Sequence, residues 1–454
     1  MASSSKQAAP KQVACGIVLR IGALAALAVL VGIDSSASGQ GVAFRGVSPV
    51  NQSMAGASTA CPIDSAGAIH WNPATISGLP SSDISFGMEL ILPSAELSSR
   101  INAGALGGGF PPVTLAGSER SESGAIPVPS MAFVHKEQDS PWSYGLGLFG
   151  IGGSSVNFPA SLTDPILTPQ PPNGLGLGRL SANVDILQLA PTVSYELTQR
   201  LAVGLAPTVT IARLYASPLF LAARDDVNSD GFPTFPTGVG TRYHWGGGFQ
   251  VGLYYTTDCG WHFGTSVKSP QWMEPFRFRS EDELGRPQTV HFHLNYPLIV
   301  SVGASYAGFE NWIFACDVRY FDYANTTGFG SSGFGPDGAL TGLAWNNIMS
   351  VAFGAQRQIT DRLSVRGGYS FNENPIDSDA EQFNVASPLI VKHSLHAGLS
   401  YVFADNWIAA VTYSHSFENE VTGPLSSALG PIPGTSVTST ASADTIYIGF
   451  SKRF

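Results

Sequence analysis

The chain has 454 residues, of which only 12% are charged, with 51 glycines and a formal net charge of −10. Charged residues make up about a quarter of an average soluble domain, so this composition argues against an ordinary soluble protein of two or three domains. The acidic balance, with no basic run in the sequence, argues against nucleic-acid binding. Length and composition instead favour one large membrane β-barrel.

Residues 1–39 have the order of a secretion signal. Lys6, Lys11 and Arg20 precede an apolar run over 21–33, and Ser35-Ser-Ala37 follows it. The run is too short to cross a bilayer and is typical of a cleaved signal peptide. The alternative is a retained anchor helix.

The next segment, 40–80, contains a compact run of small residues from Asp64 that ends in Trp71, Asn72, Pro73 and Ala74. The proline restricts Asn72 to extended or turn conformations. Together with Gly56-Ala57, these residues resemble the N-terminal hatch of the FadL/TodX family. The resemblance implies a plug over 40–80, with Asp64, Trp71, Asn72, Pro73 and Ala74 as the hatch motif. It also implies an outer-membrane transporter of long-chain fatty acids or aromatic hydrocarbons.

From residue 82 onward, apolar and polar residues alternate with a period of two. In 347–358, for example, Met349, Val351 and Phe353 share one face, while Ser350 and Gly354 share the other. Such alternation with a polar second face predicts strands that have lipid outside and a polar lumen inside. We therefore predict an all-β, antiparallel transmembrane barrel over 81–454 in the outer membrane of a bacterial cell.

The connections between these strands alternate between short and mostly long. Short turns are predicted near 136–140, 197–200, 257–260, 307–311, 359–362 and 404–406. Longer loops are predicted at about 102–125, 153–180, 215–241, 280–286, 324–344, 372–390 and 418–441. Thirteen connections make about fourteen strands, an even number as in bacterial barrels. This count treats 287–306 as one strand through Pro297.

Tryptophans mark both rims of the predicted barrel. Four of them follow short turns and two begin strands that leave long loops, namely Trp142, Trp261, Trp312 and Trp407, then Trp245 and Trp345. Their amphipathic rings prefer membrane interfaces. At the C-terminus, the alternation that ends in Phe454 resembles the signal through which such barrels reach their assembly machinery.

Glycines interrupt the third strand at Gly150, Gly152 and Gly153. Glycine within a strand marks a bulge or a close backbone approach. In the resembled family, a kink in this strand makes a lateral opening in the wall, and we place it at these glycines. The alternative is a glycine-rich strand that faces the lumen.

Two of the loops, 153–180 and 215–241, are rich in proline and apolar residues. Exposed apolar loop residues can form a groove that captures a hydrophobic ligand. The candidates are Phe158, Leu175, Leu177, Phe220, Phe232 and Phe235. Loops that pack on each other as a lid are the alternative.

Four cations fall on polar strand faces and are candidates to bind a ligand carboxylate, namely Lys268, Arg319, Arg366 and Lys392. The alternative for each is pairing with an acid such as Asp317. Asp226, Asn228 and Asp230 weakly resemble the start of a calcium loop, but Thr237 stands where a bidentate glutamate belongs. A solvated extracellular turn explains these residues better than a calcium site does, and no metal or cofactor is expected.

The predicted function is uptake of hydrophobic molecules, above all long-chain fatty acids, by a monomer. The resemblance implies capture at the outer loops, movement of the hatch and exit through the barrel wall. No local signature of a nucleophile with its base appears, so an enzyme is not expected. A porin for small polar solutes and a structural or adhesive barrel remain as alternatives.

Overall fold

The computed structural model describes residues 40–107, 113–330, 332–335, 338–404, 406–427 and 430–454. The predicted signal segment lies outside this range. Three short α-helices are present, α1 (Pro49–Ser53), α2 (Ser65–Trp71) and α3 (Glu381–Asn384), with 3-10 helices at Pro73–Gly78 and Ser378–Ala380. None of the helices in the described part of the chain is long and apolar enough to span a membrane.

The remaining elements are strands of one large sheet and three small hairpins. The large sheet contains β1 (Asp83–Ile101), β2 (Leu115–Arg120), β3 (Ile126–Lys136), β4 (Trp142–Phe158), β5 (Leu180–Thr198), β6 (Leu201–Ser217), β7 (Val239–Gly240), β8 (His244–Thr256), β9 (Trp261–Lys268), β10 (Trp272–Met273), β13 (Leu298–Tyr306), β14 (Trp312–Asp322), β17 (Ile348–Gln358), β18 (Leu363–Asn372), β19 (His393–Ala404), β20 (Trp407–Gly423) and β23 (Thr435–Arg453). The hairpins are β11 (Phe276–Glu281) with β12 (Pro287–Phe292), β15 (Ser332–Phe334) with β16 (Leu340–Leu343), and β21 (Ser426–Ser427) with β22 (Gly430–Pro431).

Neighbouring strands pair antiparallel, and β1 pairs with β23 from Asp83↔Arg453 to Ile101↔Thr435, which closes the sheet. Within the described residues, β2, β7 and β10 are short pieces beside the full strands. The result is a closed barrel of fourteen strands. This confirms the predicted fold class and strand number, and all six short turns lie where they are predicted.

The alternation of outward-facing and inward-facing residues along each strand has its expected physical cause. On β23, Ile446, Ile448 and Phe450 lie on the outside and are about half exposed, whereas Tyr447 points inward and is buried. The outer face is apolar because it is built to meet lipid, and the inner face is polar or small.

The prediction of one strand over 287–306 is wrong. Residues 287–292 form β12, which pairs with β11 in a hairpin separate from the barrel, and the barrel strand β13 starts only at Leu298. Pro297 lacks a backbone N–H for the barrel ladder, and the chain before it turns to bond Thr327 and Gln271 instead.

The predicted loop 418–441 is too long. Asn419–Gly423 of β20 continues to pair with Val437–Ala441 of β23. A ladder of backbone hydrogen bonds does not need apolar side chains, so it extends through these polar residues.

Residues 40–80, which we call the hatch, fill the lumen and are almost entirely buried. Two helix caps organise the hatch. Ser48 caps α1 and Asp64 caps α2, and the Ser48 hydroxyl donates to the Asp64 carboxylate at 2.6 Å. Burial raises the pKa of Asp64. Both helix starts are therefore tied to one buried polar contact.

Candidate functional site

The hatch motif joins the hatch to the barrel wall through Asn72. Its side-chain nitrogen donates to the carbonyl of Thr59 in the hatch at 2.8 Å and to that of Leu253 on β8 at 2.9 Å. Its oxygen accepts from the backbone of Ala74 at 3.1 Å, where Pro73 begins a 3-10 helix. All side-chain hydrogen-bonding groups of this fully buried amide are thus engaged in holding the hatch.

Three glycines of the wall provide the space for this contact. A Cβ atom on Gly252 would lie 1.9 Å from the Asn72 oxygen, one on Gly264 1.9 Å from the carbonyl oxygen of Thr59, and one on Gly204 2.2 Å from the Ala74 nitrogen. Gly204 and Gly252 face each other across β6 and β8. The hatch motif therefore rests on a patch of bare backbone.

A buried ion pair on β14 makes the second attachment. Oδ2 of Asp317 accepts from the backbone nitrogens of Ser58 and Thr59 and from the Thr59 hydroxyl at 2.8–2.9 Å, and from Arg319 at 2.6 Å. Arg319 also donates to the carbonyl of Gly56 and lies 3.5 Å over the ring of Trp71. The Arg319 guanidinium is thus occupied in holding the hatch and is not free to bind a ligand carboxylate.

The other three cation candidates lie apart from one another. Lys268 is buried with its Nζ 3.3 Å from His70 Nδ1 and 3.3 Å from Gln188 Oε1. Arg366 donates to Gln356 and Ser400 within the wall. Lys392 precedes β19 at the outer rim. None of the four candidates lines either cavity described below, so the structure does not bring them into one head-group site.

The ladder of backbone pairs between β3 and β4 ends early. Their pairing ends at Ser130↔Phe149, and a bulge lies between Gly150 and Gly152 in the pairing of β4 with β5. Above this point, the backbone of Glu122 donates to Asn157 at 2.8 Å. We call the region between residues 123–129 and 150–156 the window.

From the lumen side, the hatch lies along the free edge of β4. Phe44 N donates to the carbonyl of Ile151 at 3.0 Å, and Gly153 N donates to that of Val42 at 3.1 Å. A Cβ atom on Gly152 would lie 2.5 Å from the carbonyl oxygen of Val42. The glycine region predicted as a kink is thus where the start of the hatch contacts the window.

Two prolines explain why β3 does not continue its pairing with β4. Pro127 and Pro129 occupy alternate positions of β3, face outward, and leave the pairing with β1 uninterrupted. In an antiparallel ladder, alternate residues direct their N–H groups to the same neighbour. The two missing donors are therefore those that would face β4, as expected for proline at a strand edge.

A cavity of about 650 Å³, which we call the inner cavity, extends from the window to the hatch. Its apolar walls include Ile91, Ile126, Val128, Leu389 and Val391. It also contains Arg45 and Glu89, which the sequence analysis missed. Glu89 breaks the apolar stretch around it on the inward face of β1, a signal that could have identified it, whereas nothing marks Arg45 in the irregular hatch.

A second cavity of about 270 Å³, the outer cavity, lies among the long loops. Of the predicted capture residues, Leu175, Leu177, Phe220 and Phe235 line it. Phe158 is buried in the neighbouring apolar cluster, and Phe232 is exposed at 47% on the loop surface.

Arg224 is the charged side chain among the residues lining the outer cavity. Its guanidinium lies 4.5 Å from the ring centre of Phe235, and burial lowers its pKa. The sequence analysis did not select Arg224, because it lies on a loop with no strand parity to mark it.

The weak calcium candidates form a self-contained turn. Asp226 and Asp230 accept from the backbone nitrogens of Gly231 and Phe232, and Asn228 bonds Asp230. Across the described residues, no group of three or more metal-ligating side chains is found. The arrangement is a hydrogen-bonded surface turn.

A buried acid lies on loop 373–392, which joins β18 to β19. Glu381 on α3 is fully buried against β20 and β23, and among the described residues neither of its carboxylate oxygens has a hydrogen bond of good geometry, although Ser439 lies beside it. Burial raises its pKa to about 8. Because the pKa in the folded state is the higher one, docking of the loop is strongest below about pH 4.5 and weakens as pH rises through about 8.

We expect hydrogen-exchange protection of loop 373–392 to fall between pH 5 and pH 9. Glu381→Gln should keep the loop protected throughout and stabilise its docking by about 2 kcal/mol at pH 9, because no charge is then buried without a partner. Asp379→Asn, an exposed change on the adjacent 3-10 helix, is the control. Equal pH dependence in the wild type and Glu381→Gln would contradict this assignment.

Solved structures of similar fold include two toluene transporters and a FadL homologue. The toluene transporter TodX of P. putida matches with a TM-score of 0.64 and 14% identity, over 90% of this chain and 99% of that one. The Ralstonia pickettii toluene transporter TbuX matches with a TM-score of 0.65 and 17% identity, over 90% of this chain and 99% of that one. A Pseudomonas aeruginosa FadL homologue matches with a TM-score of 0.67 and 13% identity, over 91% of this chain and 100% of that one. No curated protein sequence matches significantly.

The sequence model of a family of outer-membrane transport proteins matches residues 28–454, nearly the whole chain. The match spans the hatch motif, the window and both cavities. The chain therefore belongs to the OMPP1/FadL/TodX family of outer-membrane transport proteins.

Proposed function

We propose that this protein takes up long-chain fatty acids or similar hydrophobic molecules across the outer membrane. A ligand enters the outer cavity, moves to the inner cavity, displaces the start of the hatch and leaves through the window into the membrane. The observation that carries this proposal is the lining of the inner cavity. It includes both edges of the window and Phe44 of the hatch, so a ligand there contacts the gate and the exit together.

The chemistry of the outer cavity supports a fatty acid at the capture step. Its lining is largely apolar, with Arg224 as a single cation. An aliphatic chain gains free energy by leaving water for such a pocket, and a carboxylate gains a charge-assisted hydrogen bond from a guanidinium. The FadL homologue and the toluene transporters among the similar structures agree with hydrophobic cargo in general.

A porin for small polar solutes needs an open aqueous channel, and here the hatch fills the lumen. Asn72, Asp317 and Arg319 attach it to the wall by buried hydrogen bonds. Free diffusion of polar solutes through this conformation is not supported. No specific feature of the described loops favours an adhesive role.

Lateral exit can be tested by restoring the two backbone N–H donors that Pro127 and Pro129 remove from β3. We expect Pro127→Val with Pro129→Val to extend the pairing of β3 with β4 and close the window. Two added ladder hydrogen bonds at about 1 kcal/mol each should lower uptake of labelled palmitate about thirtyfold. Binding of palmitate to the purified protein should remain.

The matched control is Pro191→Val with Pro207→Val. These prolines also face outward, at an interruption between β5 and β6 away from the cavities, and their replacement should leave uptake unchanged. Undiminished uptake in the β3 variant, with the ladder formed, would exclude exit through the window.

Three further parts of the proposal concern export and assembly. We propose that residues 1–39 are removed as a signal peptide, that the C-terminal strand is presented to the barrel assembly machinery, and that the protein acts as a monomer. Phe454 supports the second, since its ring is 59% exposed on the outside beside Phe133.

A further inference from the structure

The inner cavity has a polar end inside its apolar walls. Arg45, Gln52, Glu89, Ser416 and Thr445 all line it. Arg45 donates to the Ser416 hydroxyl at 3.3 Å, and Gln52 donates to Glu89 at 3.4 Å. Gln52, Glu89 and Thr445 are 4%, 3% and 8% exposed, so all three are more than nine-tenths buried.

This polar end is incompletely hydrogen-bonded. Among the described residues, Arg45 Nε, Gln52 Oε1 and Thr445 Oγ1 are buried atoms without a partner of good geometry, although the Thr445 hydroxyl lies beside the Glu89 carboxylate. Leaving a buried polar atom unpaired is unfavourable, and such atoms call for an explanation. Together they present a donor, an acceptor and a hydroxyl that does both.

Two carboxylic acids and two arginines line the cavity. Arg45 and Glu89 have opposite signs at the polar end, and Asp185 and Arg213 are paired with each other at 2.7 Å. Burial lowers the pKa of Arg45 to about 10, with Glu89 acting in the opposite direction, so Arg45 keeps its charge at neutral pH.

Two further titratable groups adjoin this end, and both are already engaged. His396 on β19, beside Arg45, bonds Ser370 and Ser414, and Tyr447 beside Glu89 donates to Ser130. An anion placed here would face Glu89 as well as Arg45, and it would gain little at any pH at which Glu89 is ionised.

We infer that the polar end of the inner cavity receives an uncharged head group that both donates and accepts hydrogen bonds, a hydroxyl or a protonated carboxyl on a long apolar chain. This rests on the proposed uptake function and specifies the cargo of its inner site. An alkane leaves the three atoms unpaired, an ester cannot donate, and a carboxylate is repelled by Glu89 once Glu89 is ionised. A fatty acid captured as an anion near Arg224 is bound here as the un-ionised acid, with its proton taken from water.

The test measures saturable binding of four ligands of equal chain length to the full barrel in nanodiscs, corrected for partition into empty discs. We expect 1-hexadecanol to bind about tenfold more tightly than hexadecane or methyl palmitate, since about two hydrogen bonds are gained. It should also bind more tightly than palmitate at pH 9, where palmitate is ionised. At pH 5 palmitate should approach the alcohol.

Glu89→Gln tests the role of charge. Removing the acid leaves Arg45 unbalanced, so binding of ionised palmitate should improve about tenfold, while hexadecanol binding changes little. Glu96→Gln is the matched control, because Glu96 lies on the same strand, pairs with Arg120 and does not line the cavity.

The wild-type ranking is decisive without any variant. If hexadecane binds as well as hexadecanol, or if ionised palmitate binds best, the head-group assignment is overturned while the uptake function stands. If none of the four ligands binds and none is taken up, both are overturned.

Discussion

Replacing Asp317 with alanine should detach the hatch and let ions through the barrel. The substitution removes the acceptor of three hatch donors and leaves Arg319 buried without its counter-ion. Breaking a buried pair in this way typically costs 3–5 kcal/mol. In single-channel recordings, we expect the wild-type barrel to be nearly always closed and the variant to open frequently. We also expect residues 40–80 of the variant to become accessible to protease.

Asp322→Ala on the same strand is the control, because its carboxylate accepts from Asn325 in the adjoining loop and does not hold the hatch. A second variant, Asp317→Ala with Arg319→Met, removes both charges. It should lose less stability than Asp317→Ala alone, since no unpaired guanidinium remains. A folded Asp317→Ala barrel that stays closed would show that this pair does not hold the hatch.

Gly252→Ala should displace the hatch motif from the wall. The new methyl group would lie 1.9 Å from the Asn72 oxygen, and both sides of this contact are fixed, one by the β6–β8–β9 ladder and the other by two hydrogen bonds. Overpacking of this kind costs about 1–3 kcal/mol. We expect a lower melting temperature together with increased ion conductance.

Gly367→Ala on β18 is the matched control, since the nearest atom to its new Cβ would be 3.9 Å away. The double variant Gly252→Ala with Asn72→Ala should lose less than the sum of the single losses, because the methyl group and the amide compete for one space. Strict additivity would show that the two residues are not in contact.

The similarity of these two attachments has a physical consequence for gating. Both are networks of short, buried hydrogen bonds, and both join the middle of the hatch to β8 or β14. By contrast, the start of the hatch at Val42 and Phe44 joins β4 through two backbone hydrogen bonds. The Tyr323 hydroxyl also donates to the carbonyl of Gln40 at 2.9 Å. We propose that a ligand in the inner cavity displaces this start of the hatch while the attachments at Asn72 and Asp317 remain.

The sequence by itself determined the barrel, its fourteen strands and the six short turns. These are local properties: alternation with a period of two assigns each residue to a face, and turn residues end each strand. The glycines of the third strand were also visible, although the window they adjoin is completed by Pro127 and Pro129 on the strand before.

Only the tertiary structure decided which inward-facing residues meet. Parity placed Arg319 in the lumen, but the register of β14 against the hatch showed that it is engaged by Asp317 and Trp71. Residues 287–292 alternate like barrel residues, yet they pair with β11 in a hairpin that is separate from the barrel sheet. Contacts such as Arg45 beside Glu89 join segments far apart in the chain, and no periodicity within one strand carries that information.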